Sequence, residues 1–444
     1  MKKRKIVMAI MGNKILLKNF TIDIFAFLVM FLPRRLYFFG AFSYRIVILF
    51  VLVLCLILRK GKLSISNTII DIPMILYFVI TGIISFIHLQ FSTGIGYIID
   101  TCLVLIIINN LLQKEQDINR FINVFLVFLG IYAALGILEC LTGFNIWDLV
   151  HSSGYQRYRF GLYRSYGSST NFTNNGAFLM LCLPVAVWKM QQEEVNKKRY
   201  GVIYGLVFLN ILATLTRSII LCTFFLQFIW LLKSGMVQYI KTHFMQVIAV
   251  AAAVLLLVHI PVIYHFLNQF ISMFVALYDY ETANEISDSF GSNANGIGQR
   301  FLLYTWIFDA VKDKILLGLG PNCPFEYTFM TLTGKRMIKT SIENQYLVHL
   351  YRYGLAGLIS YMFMLISIIL KLWKNRENDL TGKGGKCTFG FMILTTALIY
   401  FTSGLSFAAS DDFRMLFLIL SLFFVHCQLS KRGEPANNEL SSEI

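Results

Sequence analysis

The sequence predicts an all-α, polytopic integral membrane protein of about twelve transmembrane helices, with a large extracytoplasmic loop containing short helices. Three observations carry this. Of 444 residues, 57% are hydrophobic and only 14% charged, with a mean hydropathy of +0.65, whereas about a quarter of an ordinary soluble domain is charged. Apolar runs long enough for a bilayer core of about 30 Å recur from end to end. Lysines and arginines gather in alternate short connections between those runs, as they do on the cytoplasmic side of membrane proteins.

In order, the apolar runs cover 15–33, 36–58, 69–88, 94–112, 119–141 and 174–190, then 200–216, 218–232, 244–266, 344–372, 388–409 and 412–429. Basic clusters at 2–5, 59–62, 114–120, 197–199, 233–241, 371–386 and 431–432 fall on one side, which places both termini in the cytoplasm. Pro33-Arg34-Arg35 is the exception, falling outside by this count. The resulting organisation is N-terminal helices over 1–143, a first extracytoplasmic loop over 144–175, and central helices over 176–267. A large extracytoplasmic loop over 268–343, C-terminal helices over 344–430 and a cytoplasmic tail over 431–444 complete it. The large loop opens on an acidic stretch, 279–295, and continues into a helical pattern over 297–315. There Phe301, Tyr304, Phe308, Val311 and Ile315 recur at spacings of three and four, as in a helix lying on a membrane surface. Gly318-Leu319-Gly320-Pro321-Asn322 stops it.

Several function classes are excluded. The net charge of +15 sits beside apolar runs, where it signals topology, so no nucleic-acid partner is expected. The eight cysteines lack CxxC or His-interleaved spacing, and most lie within apolar runs, so neither a metal site nor a disulfide framework is expected. Only Cys323 and Cys140 fall near the outer face. The stretch 381–386 resembles a phosphate loop superficially but lacks its spacing and its preceding strand. No internal repeat is evident, and the first apolar run has no cleavage site after it, so it reads as a retained helix.

The polar residues that remain concentrate on the outer side. Arg157, Arg159 and Arg164 stand in a tyrosine-rich run that leads through Asn171, Asn174 and Asn175 into a helix. Guanidinium forks match phosphate oxygens, although arginines in headgroup territory also serve simply as anchors. Arg217 stands between two apolar runs in Thr214-Leu215-Thr216-Arg217-Ser218. A lone arginine near the bilayer needs an anionic partner, either an acid such as Glu139 or Asp309 or a lipid phosphate. Arg300, at the start of the surface helix, is the third member of the group. Glu343 opens Glu343-Asn344-Gln345-Tyr346-Leu347, where the loop re-enters the membrane at the outer surface. It is either a general base for a sugar hydroxyl or a helix N-terminal charge favoured by the macrodipole. Asp71, Asp100 and His88, beside apolar runs, are either a proton pathway or satisfied helix-end groups.

Taken in order, Arg164-Ser165-Tyr166-Gly167, Leu215-Thr216-Arg217-Ser218, the run 300–306, Leu317-Gly318-Leu319-Gly320-Pro321-Asn322, Glu343-Asn344-Gln345-Tyr346-Leu347 and Tyr353-Gly354-Leu355-Ala356-Gly357 resemble the O-antigen polymerase and O-antigen ligase family. The resemblance covers roughly 160–360; the first four helices match only in being hydrophobic. It implies a helical fold with an outer loop domain over a lipid-binding groove, in the bacterial cytoplasmic membrane. It also implies glycosyl transfer from an undecaprenyl-pyrophosphate-linked oligosaccharide without a nucleotide sugar, metal or cofactor.

By that analogy Arg164, Arg217 and Arg300 hold the pyrophosphate and Glu343 deprotonates the acceptor hydroxyl, with Arg157, Arg159, Asn344 and Tyr346 contacting sugar. Family ligases present a histidine where this chain has Glu343, which favours a polymerase of capsular, exopolysaccharide or O-antigen repeats over a ligase. The alternatives are a ligase-type glycan transferase and a flippase for the same lipid-linked oligosaccharide. The partners implied are membrane lipid, the lipid-linked substrate, a chain-length regulator and a flippase.

Overall fold

The computed structural model describes residues 2–32, 37–38, 42–60, 63, 70–149, 158–159, 162–169, 171–192, 195–235, 297–330, 336–377, 387–405 and 413–433. The expected span 244–266, the acidic stretch 279–295, Pro33-Arg34-Arg35 and Arg157 lie outside these, as do the side chains of Arg159, Arg300 and Asp100.

Among the described residues there are twelve α-helices: α1 (Lys2–Phe31), α2 (Tyr44–Lys60), α3 (Ile72–Ile87), α4 (Phe91–Leu111), α5 (Glu115–Thr142), α6 (Phe172–Gln192), α7 (Lys197–Ala213), α8 (Arg217–Lys233), α9 (Ile297–Val311), α10 (Gln345–Lys374), α11 (Phe389–Ser403) and α12 (Phe413–Gly433). All but α9 fall on expected spans, and α9 falls on the expected surface helix. Among the described residues α5 and α10 are, by length and composition, long and apolar enough to cross a membrane. The first helix begins at Lys2 rather than at 15.

The chain is not purely helical. Among the described residues three antiparallel hairpins occur: Tyr37–Phe38 with Phe42–Ser43, Tyr158–Arg159 with Leu162–Tyr163, and Tyr327–Met330 with Arg336–Lys339. The last lies in the large loop, beside the short helix expected there. Backbone that leaves a helix must still pair its N–H and C=O groups, and this Tyr, Phe and Ile-bearing segment suits a ladder.

The helix ends segregate. Lys18 and Arg120 pair with Asp117 and Asp23, and Lys371 pairs with Asp71 at 2.8 Å, all at the end of the bundle that carries the basic connections. The α3–α4 turn, the α7–α8 turn and the segments 162–171 and 315–330 lie at the opposite end, called here the loop end. α6 runs through the middle, its residues from Asn174 to Lys189 all buried, and packs on α7, α8, α11 and α12. Phe25, Phe121, Phe125, Trp188, Phe389 and Phe423 fill the interior around it. Large apolar side chains also face outward, among them Ile83 and Phe86 on α3, Phe225 and Phe228 on α8, and Phe363 and Ile366 on α10. So much exposed apolar surface suits lipid as the solvent, and this is a membrane protein.

α10 is two helices joined at an elbow, which corrects the single span expected over 344–372. Gly354 has φ 63° and ψ −165°, a conformation open essentially to glycine. The His349 ring stacks on Tyr361 with centroids 3.9 Å apart, although a straight helix would separate residues twelve apart by about 18 Å. Residues 345–353 therefore fold against the segment that follows. The crossing part is 355–374, roughly 20 residues and about 30 Å at the helical rise.

Backbone groups freed by the break are taken up by the chain after α9. Leu319 and Gly320 N–H donate to Tyr351 and Arg352 carbonyls at 2.9 and 3.0 Å, and Leu355 and Ala356 N–H donate to Ile315 and Leu316 carbonyls at 2.7 and 3.2 Å. Irregular backbone at membrane depth is tolerated where protein satisfies it in this way.

α9 docks on the same elbow. Its buried face is Leu303, Ile307 and Val311, packed with Phe325, Ile342, Val348 and Tyr351. Phe308 and Ile315, of the stripe expected to lie on the membrane surface, are exposed, and Val311 belongs to the buried face. Sequence spacing allowed either stripe, and α10 selected the one at intervals of four.

Candidate functional site

At the loop end, the first loop is tied down by one buried carboxylate. Glu139, on the last turns of α5 and 2% exposed, accepts from Asn145 Nδ2 at 2.7 Å, Ser165 Oγ at 3.3 Å, and the Tyr166 and Gly167 N–H groups at 3.2 and 3.0 Å. A buried carboxylate needs several donors of this kind. Asn175 on α6 adds two more ties, accepting from Tyr132 Oη at 2.7 Å and donating to Ser165 Oγ at 3.2 Å. Glu139, named from sequence only as a candidate partner for Arg217, is thus the anchor of the 165–167 turn.

That turn carries Arg164 to the α7–α8 junction. Its Nε donates to Thr214 O at 3.1 Å, and its Nη2 donates to Leu215 O at 3.3 Å and Thr216 Oγ1 at 3.2 Å. The guanidinium carbon lies 3.0 Å from the centroid of the Phe172 ring, a cation–π contact. Leu215 has φ 49°, a left-handed conformation that a leucine avoids. Held there, it reverses the chain sharply enough that Arg217 becomes the first residue of α8. Arg217 is half-buried at a helix N-terminus, where unpaired N–H groups and the macrodipole favour an anion. The structure thus brings Arg164 and Arg217 to one turn.

A second cluster forms at the start of α10. Asn344 caps the helix, its Oδ1 accepting from Tyr346 and Leu347 N–H at 3.0 and 3.1 Å while its Nδ2 donates to Leu405 O at 3.1 Å. Gln345 N–H donates to Gly404 O at 2.7 Å, and Tyr346 Oη donates to Phe401 O at 2.7 Å. Three successive residues therefore bond carbonyls at the C-terminal end of α11, where helical partners run out. Glu343, half-buried, immediately precedes this cap.

Because 345–353 folds back from the elbow, the cap lies beside Tyr361 and Phe401. The Gln345 Oε1 atom is buried with no partner among the described residues. α11 packs against both α8 and α10.

Sequence reading missed His349 and Tyr77, whose Nε2 and hydroxyl lie 3.0 Å apart in the buried contact between α10 and α3. No spacing rule links residues on helices so far apart in the chain. Among the described residues no group of three His, Cys, Asp or Glu side chains is arranged to hold a metal.

Residues 202–362 match the family model described as O-Antigen ligase. Over that segment the chain is similar to the O-antigen polymerase and ligase family. The matched segment holds Arg217, Arg300, Glu343, Asn344 and Tyr346, and it begins after Arg164. An uncharacterized protein of Haemophilus influenzae is 26% identical over 134 residues, covering 29% of this chain and 33% of the relative. The chain thus matches about a third of that relative's length. The two segments that interlock at the elbow, 315–320 and 351–356, both fall within the matched segment.

Proposed function

We propose that this protein polymerises undecaprenyl-pyrophosphate-linked oligosaccharide repeats at the outer face of the bacterial cytoplasmic membrane. In the reaction an acceptor sugar hydroxyl attacks the anomeric carbon of the donor glycan. The bond from that carbon to the pyrophosphate oxygen breaks, and undecaprenyl pyrophosphate leaves. Glu343 takes the hydroxyl proton as the new glycosidic bond forms. The leaving group's growing negative charge calls for fixed cations more than for protonation. Arg217 and Arg300 meet it, with Arg164 adding charge and holding the turn. Arg157, Arg159 and Tyr346 contact sugar, and Asn344 shapes the cap beside Glu343.

The observation that carries the reading is the Arg164 fork on Thr214, Leu215 and Thr216, which sets Arg217 on the first turn of α8. A cation and a helix N-terminus pointing at one place suit a diphosphate. A flippase would not require such a site at one end of the bundle, since transporters place theirs near the bilayer midplane.

The test is incubation of purified protein in lipid vesicles with purified lipid-linked repeats. Wild-type protein should build a ladder of polymer on lipid, whereas Arg217→Ala should leave single repeats. Polymer of unchanged length from Arg217→Ala would overturn the reading. A ligase, the second reading favoured by the description of the matching family, would leave repeats unjoined but move preformed glycan to another acceptor.

A further inference from the structure

His349 occupies a buried position that the chemistry above does not use. Its Nδ1 lies 2.8 Å from the Gln345 carbonyl, which can only accept, so Nδ1 carries the ring hydrogen. Nε2 is then the acceptor for the Tyr77 hydroxyl at 3.0 Å. The ring face lies on Tyr361 at 3.9 Å and 17°, and the Tyr77 ring is 5.6 Å from Tyr361. Side chains from α3, from 345–353 and from the crossing part of α10 thus converge on one imidazole.

A buried imidazole is costly unless its nitrogens are bonded, and an apolar ring would fill the same volume without that requirement. The two bonds, unlike apolar contact, fix direction. The Nδ1 bond to Gln345 stays within 345–353 and fixes the ring on its own helix, and the Nε2 bond to Tyr77 ties that ring, and with it the helix, to α3. The far end of 345–353 is pinned by Asn344 and Tyr346 on the α11 carbonyls, and Glu343 is the next residue out.

We propose that His349 is a positioning residue for glycan transfer: bonded to Tyr77 and stacked on Tyr361, it keeps the short helix folded back and so fixes where Glu343 meets the acceptor. This rests on the transferase reading. His349 touches no substrate; it acts through the helix that carries the Glu343 cap.

The test uses full-length protein in vesicles with purified lipid-linked repeats. His349→Phe keeps a ring on Tyr361 and removes both hydrogen bonds, and Tyr77→Phe removes only the hydroxyl. Each should lower kcat about tenfold with KM changed less than about twofold, and the double variant should be no worse than the poorer single one. His349→Gln, which can still accept from Tyr77, should recover to within about threefold of wild type.

A second readout is independent of activity. In an E343C chain, labelling by a membrane-impermeant maleimide, above that of the unsubstituted chain, should change at least about threefold when Tyr77→Phe is added. The proposal is overturned by unchanged kcat and labelling in these variants, by additive losses, or by activity that falls only in step with the folded fraction. Absence of polymer from wild-type protein would sink the polymerase reading instead, and the labelling would still decide the role of His349.

Discussion

Gly318 and Gly354 meet backbone to backbone: a Cβ on Gly318 would lie 2.5 Å from the Gly354 nitrogen, and one on Gly354 would lie 2.6 Å from the Gly318 nitrogen. Both also hold positive φ, of 70° and 63°. The clasp between the α9 tail and the α10 elbow therefore depends on two missing side chains.

Gly354→Ala should cost about 2–4 kcal/mol, combining left-handed strain with a clash against backbone that cannot swing away. Gly318→Ala should behave alike, and the double variant should be less than additive because one clasp is lost once. Thermal unfolding in detergent, followed by tryptophan fluorescence, measures both. Unshifted transitions would mean the elbow tolerates opening.

Glu139→Ala should destabilise the loop end by about 3–5 kcal/mol, since it strands buried donors on Asn145, Ser165, Tyr166 and Gly167. Glu139→Gln should cost less, about 1–3 kcal/mol, because one acceptor oxygen remains. Limited proteolysis between 150 and 171 checks the local effect, which should be faster cleavage there before any global loss of structure.

Arg164→Lys separates charge from geometry. Lysine keeps the cation but cannot reach Thr214, Leu215 and Thr216 as a planar fork. Polymer formation should fall about tenfold with folding intact, and Arg164→Ala should fall further. Equal activity in Arg164→Lys and wild type would remove the fork from the account and leave charge alone.

Asp71 gives a pH dependence. Partial burial alone would raise its carboxyl, but hydrogen bonds from Lys371, Ser367 and the Met74 N–H, with the Lys371 charge, hold it below the ordinary carboxylate value. A depressed folded value means that its stabilisation is complete above the unfolded value of about 3.9 and is lost as pH falls through the lower folded value. Asp71→Asn can still cap α3 yet loses the ion pair, and it should cost about 1–3 kcal/mol at pH 7. The gap from wild type should close below about pH 4. A gap that persists in acid would assign the loss to packing. The same contacts settle Asp71 as a satisfied helix-end group, one of the two readings its sequence position allowed.

Much of the architecture was legible in the sequence because a bilayer imposes length and hydropathy on each helix separately. The observed bounds of α3, α5, α6 and α8 follow their apolar runs within a few residues. The cap at Asn344 was legible as a loop entering a helix, and Arg217 as a cation between two runs. The elbow was not, because hydropathy does not register a change of direction. The protein-facing stripe of α9 was not legible either, because two stripes on that helix are apolar, and only contact with α10 distinguishes them.

The sequence by itself determined that the chain is a helical membrane protein with arginines and Glu343 near the loop end, since composition, run length and charge placement are local quantities. Tertiary structure alone decided that Arg164 grips the turn bearing Arg217, that Glu139 anchors the first loop, and that His349 meets Tyr77 across 272 positions. Those contacts arise from directional hydrogen bonds between helices distant in the chain, and no local pattern encodes which carbonyl or hydroxyl a side chain will find.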